Sequence, residues 1–432
     1  MTSPSTALFT DRYELTMLQA ALATGDAHRR CVFEAFARRL PSGRRYGVVA
    51  GTGRFLQALA DFRFTSAEID FLAEQAIVDA QTRDFLADYR FTGDIWGYAE
   101  GECYFPGSPV LVVESTFAEA VVLETLVLSI LNHDSAVASA ASRMTAAAGS
   151  RPCVEMGSRR THEESAVAAA RAAYIAGFSA TSNLEAARRH RLPAVGTSAH
   201  AFTLLHDDEG DAFASQVASL GPSTTLLVDT YDIATGVERA VQAAGPGLGA
   251  VRLDSGDLLS GAADVRTQLD ELGATETQIV VTSDLDEYAI AALQSAPVDS
   301  YGVGTRVVTG SGAPTAEMVY KLVSRQNADG ALVPVAKAST DKRSVGGRKY
   351  ALRRRNSTGV AQEELVGIDR RPEDDGDDRE LMVPLVRSGS VVSATDADTA
   401  RERHAASRAE LPTRALRLSQ GDPAIETTFL DP

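Results

Sequence analysis

The sequence predicts an α/β fold built on parallel strands, and three observations lead there. From about residue 108 onward, short runs rich in Val, Leu and Ala alternate with Ala-rich stretches of helical spacing. Each apolar run ends in a polar, charged or Gly-containing cluster. The intervals from Asp229 to Asp254 to Asp284 leave room for one strand, one helix and two loops per unit. Parallel neighbours need a crossover connection, which is usually a helix, so this alternation implies parallel pairing.

Taken in order, "RPCVEMGSRR" precedes "THEESAVAAARAAYIAG", "LPAVGTSAH" precedes "DAFASQVASLG", and "STTLLVDTYD" precedes "IATGVERAVQAAG". "LGAVRLDSGD" then leads into "LLSGAADVRTQLDELG", "TQIVVTSDLD" into "EYAIAALQSA", and "VDSYGVGTRVVTG" closes the series. Repetition of this kind favours a (β/α) barrel, whose sites lie at the carboxyl ends of the strands. In every unit the polar cluster falls at that end. Residues 195 to 202, "VGTSAHAF", read as the end of a buried strand that lifts His200 among residues too small to cover it.

Outside the series, "CVFEAFARRL" and "YRFTGDIWGYAEGECYF" suggest an antiparallel sheet with helices. Residues 333 to 432 alternate short strands and turns, with "RRPEDDGDDRE" as a solvated acidic loop. The expected division is therefore 1–113 and 326–432, packing together as a second domain, around a barrel at 114–325.

The length of 432 residues allows two or three domains at about 150 residues each. With 42 Lys+Arg against 58 Asp+Glu the net charge is -16, which argues against a general nucleic-acid or anionic-membrane surface. An anionic ligand must be met by local basic groups. Cys31, Cys103 and Cys153 are too widely spaced for a disulfide framework or a Cys-X-X-Cys zinc site and fit a reducing compartment. The N-terminus lacks the pattern of a signal peptide, and no uninterrupted apolar run reaches about 18 residues. The expectation is a soluble cytoplasmic protein.

The rim of the series holds Asp229 and Asp232 in "DTYD", Asp254 and Asp257 in "RLDSGD", and Asp284 and Asp286 in "TSDLD". Carboxylates gathered at one mouth suit a divalent metal, ribose hydroxyls or a cationic transition state. In "YGVGTR", Gly302, Gly304 and Thr305 offer backbone N–H groups to a phosphate, and late βα loops of barrels are frequent phosphate sites. Arg159, Arg160 and Arg252 can clamp a carboxylate or phosphate, or merely close the rim as ion pairs. Together with His200 the set fits a substrate with a ribose, a phosphate, a metal-bound pyrophosphate and a small anion.

At this point the residues resemble the nicotinate phosphoribosyltransferase family, in order and over nearly the whole chain. The resemblance is carried by "LFTDRYELTM", "FEAFARRLPSGRRYGVVAG", "EMGSRRTHEESAVAAARAAYIAGFSATSN", "GTSAHAF", "DTYD", "RLDSGDL", "TSDLDE", "YGVGT" and "YKLV". It implies the type II phosphoribosyltransferase fold, an irregular α/β barrel with an α/β sandwich domain formed from both chain ends. It also implies joining of nicotinate to 5-phosphoribosyl 1-diphosphate, with Mg²⁺ and with ATP as co-substrate, to give nicotinate mononucleotide for NAD synthesis.

The resemblance assigns roles residue by residue. His200 matches the histidine that ATP phosphorylates, and Asp229 its orienting partner. Tyr13 matches a tyrosine that stacks on the pyridine ring from the neighbouring subunit, which implies a homodimer with shared sites. Arg159 and Arg252 match base-binding arginines, Asp254 and Asp284 residues that hold base or ribose, and Gly304 with Thr305 the 5'-phosphate loop. Arg38 or Arg39 and Lys337 are weaker candidates for the diphosphate end. Ser182 stands where nicotinamide-using relatives carry an aspartate, and a serine can donate to a carboxylate that an aspartate would repel.

There are departures. Gly346-Gly347 replaces the usual Pro-Gly, which weakens the case for Lys337 and Lys342, and His133 with Asp134 reads as a local pair without assigned function. Three cysteines cannot build the zinc knuckle of some relatives. The rivals are an enzyme using nicotinamide or quinolinate, a non-catalytic ligand sensor, and a phosphate-binding isomerase or aldolase. The last of these lacks a strand-end lysine in the rim clusters.

Overall fold

The computed structural model describes residues 4–337, 344–393 and 396–430. Contacts divide the chain into two compact units, residues 1–139 with 313–432, and residues 140–312.

The spine of the first unit is the strand Arg30–Ala37, buried along nearly its whole length. It pairs antiparallel with Leu111–Thr116 on one side and Met318–Gln326 on the other, so both halves of the chain enter one seven-stranded sheet. These pairings carry the first unit beyond the expected edges at 113 and 325. The start of the long helix Glu124–Ala148 belongs here too, because Leu126, Val127, Ile130 and Leu131 pack into the same core. By composition the helical stretch Phe117–Ala148 could cross a membrane, yet 67% of its most apolar window is buried within the fold, as in a core helix. His133 Nδ1 lies 2.9 Å from Asp134 Oδ1, and Arg54 donates to the same carboxylate at 2.8 Å. Burial works to raise the Asp134 carboxyl, but Arg54 and His133 hold it below its ordinary range. The local pair read from the sequence is thus part of a structural bridge.

A four-stranded sheet, Arg379–Glu380, Lys349–Arg355, Ala361–Ile368 and Glu426–Leu430, carries a buried ionic network. Arg353 is fully buried and donates to Glu364 at 2.9 Å, to the Cys103 carbonyl at 2.8 Å and to Glu102 at 3.4 Å. Glu102 also accepts two hydrogen bonds from Arg379, at 2.8 and 2.9 Å. In the acidic turn Glu373, Asp374, Asp375 and Asp377 are exposed, whereas Asp378 is buried and accepts from Arg354 at 3.1 Å.

The second unit is a six-stranded sheet in which every pairing is parallel. Its strands, in spatial order, are Ala180–Thr181, Cys153–Glu155, Ser300–Val303, Gln278–Val281, Ala250–Leu253 and Thr225–Leu227. The first strand in the chain pairs with the last, so the series curls on itself as a half-barrel. Leu226, Leu227 and Val228 are buried in succession, so both faces of that strand end are covered and it reads as a continuous apolar run. "LPAVGTSAH" was expected to be a strand of the series and is not. Ala194 bridges in parallel to Thr181, with Thr181 N donating to the Pro193 carbonyl and Val195 N to the Thr181 carbonyl, so this segment lies at the edge beyond the strand Ala180–Thr181 of "SATSN" and does not continue as a strand itself. Gly196, Thr197, Ser198 and Ala199 are too small to bury a strand face and even Val195 stays exposed, so residues 195–199 form a mostly exposed loop and His200 opens the short helix His200–Leu204.

Helix capping accounts for half of the acidic residues singled out in the sequence. Asp232, Asp257 and Asp286 are the N-caps of the helices Ile233–Ala244, Leu258–Glu271 and Glu287–Ala292, each accepting from backbone N–H groups of the first turn.

Asp257→Ala should cost about 1 kcal/mol in urea unfolding, the usual worth of an N-cap. Arg353→Ala should cost about 3 to 5 kcal/mol, because it strands Glu364 and Glu102 in the interior. Burial works to raise the Glu102 carboxyl, but Arg353 and Arg379 overcome it and hold the group at about 2, against an ordinary 4.5. Glu102 therefore contributes fully above about pH 4.5, and its contribution is lost as pH falls toward 2. Acid unfolding followed by circular dichroism should show this loss in the parent and less of it in Arg379→Met.

Candidate active site

Strands that all run the same way bring their carboxyl ends to one edge, and there the second unit opens a cavity of about 280 Å³. Arg159, Arg252, Asp254 and Asp284 line it together with the backbone turn Gly302, Gly304 and Thr305. These seven sequence-predicted residues come from four different strand ends. Met156, Arg160, Thr282 and Ser283 complete the lining.

Hydrogen bonds join successive rim positions. Asp229 Oδ2 accepts from Asp254 N at 2.8 Å and from Ser255 Oγ at 2.7 Å. Asp254 Oδ1 in turn accepts from Thr282 Oγ1. Gly302 is required by close approach, since a Cβ there would sit 2.5 Å from Thr282 Cγ2 and 2.8 Å from Met156 Sδ. Ser283 has φ of 110°, in the left-handed region a serine rarely adopts, and it precedes the exposed carboxylate of Asp284.

Arg252 is the electrostatic centre of the rim. Its side chain is only 12% exposed and faces Asp254 Oδ2 at 3.8 Å. Nη1 donates to Thr197 Oγ1 at 2.5 Å and to the Ser198 carbonyl at 3.2 Å, which ties down the loop leading to His200. Burial draws the guanidinium below its ordinary value, against the pull of Asp254 and Asp229. Arg159 and Arg160 are exposed.

The histidine differs from expectation in its partner. His200 Nδ1 lies 3.2 Å from Thr230 Oγ1, whereas Asp229, matched to the orienting role, spends Oδ2 on the next strand end. Asp229 Oδ1 is buried and has no hydrogen-bond partner among the described residues. Thr230 carries no signal in the sequence beyond its place inside "DTYD". Ser182 is half-buried at the end of its strand, with its N–H donating to the Glu155 carbonyl at 2.9 Å.

Tyr13 belongs to the first unit, on the helix Arg12–Thr24, and is 46% exposed. Burial of its polar end and the nearby Glu124 carboxylate push its phenol up to about 12. Of the weaker candidates, Arg39 pairs with Glu317, Lys337 is exposed, and Lys342 lies outside the described residues.

Comparison with known proteins places this geometry. Residues 8–132 match the nicotinate phosphoribosyltransferase (NAPRTase) N-terminal domain. Nicotinate phosphoribosyltransferase pncB1 of Mycobacterium tuberculosis is 60% identical over 429 residues, covering 97% of this chain and 94% of the relative. The nicotinate phosphoribosyltransferase of Bacillus subtilis is 36% identical, over 81% of this chain and 73% of that one. The fold is shared with human nicotinic acid phosphoribosyltransferase, with a TM-score of 0.82 at 23% identity over 97% of each chain. Identity of that extent, along a chain whose rim carries these arginines, acids and glycines, shows that the protein belongs to the nicotinate phosphoribosyltransferase family.

Proposed function

We propose that the chain joins nicotinate to 5-phosphoribosyl 1-diphosphate, forming nicotinate mononucleotide and releasing pyrophosphate, as a step of NAD synthesis. The observation that carries this reading is the single cavity in which two base-binding arginines, two ribose-suited carboxylates and an open Gly304–Thr305 backbone meet. We read its half-barrel as the irregular barrel of type II phosphoribosyltransferases, and the sheet formed from both chain ends as part of their sandwich domain.

The pyridine nitrogen is already a nucleophile, so the protein's task is positioning and charge stabilisation. Arg252 and Arg159 meet the nicotinate carboxylate, and Ser182 donates to it where an acid would repel it. Asp254 and Asp284 hold the ribose and stabilise positive charge developing at its C1. The backbone N–H groups of Gly304 and Thr305 receive the 5'-phosphate. For Mg²⁺ the same two carboxylates supply hard oxygen donors, and this ion is commonly held by one or two carboxylates plus substrate phosphates. When bound, it neutralises the leaving pyrophosphate.

His200 is read as the acceptor of the ATP γ-phosphoryl group. Where Nδ1–H donates to Thr230 Oγ1, Nε2 keeps its lone pair and can form the N–P bond as ADP leaves. Asp229, the residue before Thr230, keeps its Oδ1 buried and unpartnered among the described residues.

The protein is further read as a homodimer with shared sites. Leu8, Phe9, Tyr13 and Met17 leave an exposed apolar surface at the N-terminal helix, with Phe9 at 64%, and Tyr13 on it would stack on the partner's pyridine ring. Cys31, Cys103 and Cys153 are buried and unpaired, which suits the cytoplasm.

Mononucleotide formation with nicotinate, nicotinamide and quinolinate, each with and without ATP, tests the reading. Nicotinate alone should give product, with ADP released and the rate raised by ATP. Product from nicotinamide instead would overturn the role of Ser182, and no product from any base would favour a ligand sensor. His200→Ala should keep its far-ultraviolet spectrum and lose both the phosphoenzyme and the ATP effect; unchanged ATP coupling would refute the phosphohistidine. Shared sites predict complementation, since Tyr13→Ala mixed with Asp254→Asn should recover activity that neither variant has alone.

A further inference from the structure

Glu155 ends its strand 1% exposed, and no ion pair reaches it among the described residues. A buried carboxylate without a counter-ion is costly, and leucine or glutamine would fill the space more cheaply. Its surroundings show what the charge does. Oε1 accepts from Gly157 N at 2.5 Å, Oε2 accepts from Thr181 Oγ1 at 2.5 Å, and its backbone carbonyl accepts from Ser182 N at 2.9 Å.

The contacts continue into a closed ring. Thr181 Oγ1 accepts from Asn183 N at 2.9 Å, and Asn183 Nδ2 donates to Ser158 Oγ at 3.0 Å, one residue from where the ring began at Gly157. Asn183 Oδ1 meanwhile caps the helix Leu184–His190 through Ala186 N at 2.8 Å, so its amide cannot turn over. Two loops are thereby locked to each other. One carries Arg159 directly after Ser158, and the other carries Ser182 between Thr181 and Asn183. A third loop is seated on them, because a Cβ at Gly157 would come within 2.9 Å of the Gly304 carbonyl and 2.2 Å of Val308 Cγ1.

We infer that Glu155 is a positioning residue for base selection, setting the separation of Arg159 and Ser182 and so the fit of a pyridine carrying a carboxylate. The inference rests on the proposed reading that these two residues meet the nicotinate carboxylate. A carboxylate is needed because both oxygens must accept. An amide would either turn a donor on the Gly157 N–H or, with its NH2 facing Thr181, donate to that hydroxyl's remaining lone pair and leave the hydroxyl proton without its acceptor.

The test uses the full-length protein with Glu155→Gln, Thr181→Val and Thr181→Ser. Steady-state constants would be measured for nicotinate, nicotinamide and 5-phosphoribosyl 1-diphosphate, alongside thermal unfolding. Thr181→Val, which leaves the carboxylate in place, should raise KM for nicotinate about tenfold and narrow its preference over nicotinamide. KM for 5-phosphoribosyl 1-diphosphate should stay within about twofold, and Thr181→Ser should restore the parent values. Glu155→Gln should do the same or more; if it fails to fold, the threonine pair decides. An unchanged base preference in Thr181→Val, or an equal fall in kcat for every base, would overturn the inference. Failure of the parent to use nicotinate at all would instead refute the underlying reading.

Discussion

Six strands hydrogen-bonded in one direction is the constraint on which the candidate site depends. Parallel pairing sends every carboxyl end to one edge, and the spatial order of strands then fixes which rim residues are neighbours. Asp229 binds Asp254 N, Asp254 binds Thr282, Met156 N donates to the Val303 carbonyl at 2.8 Å, and Ser182 N donates to the Glu155 carbonyl. Each bond joins the end of one strand to the end of the next. The rim is therefore a continuation of the sheet's own ladder into side chains, and it inherits the rigidity of the sheet.

Charge is arranged locally against the average. A chain with net charge of -16 repels anions at long range, so binding an anionic substrate depends on what lies within a few ångströms. Arg159, Arg160 and Arg252 supply that local field. Arg252 shares its neighbourhood with Asp254, yet their 3.8 Å separation is wider than a direct hydrogen-bonded pair, so the guanidinium keeps reach for a further acceptor. The burial that draws its pKa down also strengthens whatever it does bind, because the same low dielectric governs both effects.

The sequence made the strand-helix series legible because a strand buried on both faces has to be continuously apolar, as in "LLV" at residues 226–228. It misled at "LPAVGTSAH", where composition resembled a full strand but only Ala194 bridges, beyond the two-residue strand Ala180–Thr181 that is too short for any periodicity to reveal. Acidic residues were legible as clusters and illegible as individuals. Asp232, Asp257 and Asp286 serve backbone N–H groups of the next helix, and only position after the strand separates them from Asp229, Asp254 and Asp284. Thr230 and Glu155 left no mark because their importance lies in partners 30 and 26 residues away. The edges of the first unit were missed for the same reason, since a pairing between residues 31 and 325 has no local signature.

Ser283 shows how such a rim holds a conformation the chain would not choose. A serine at φ of 110° carries strain of about 1 to 3 kcal/mol, which persists only where the surroundings over-determine it. Before it, Thr282 N donates to the Leu253 carbonyl at 2.8 Å and its hydroxyl to Asp254. After it, Leu285 N donates to the Ser283 carbonyl at 2.8 Å, Asp286 caps the next helix, and Glu287 is fixed to Arg143 at 3.0 Å in the interior. With both sides anchored, the one residue between them must absorb the turn, and Asp284 follows it into the cavity. A glycine at 283 would relax the strain, but it would also loosen the direction in which the Asp284 carboxylate is held. The turn at Ser283 thus fixes the direction in which the Asp284 carboxylate enters the cavity, and the anchored neighbours on either side bear its cost.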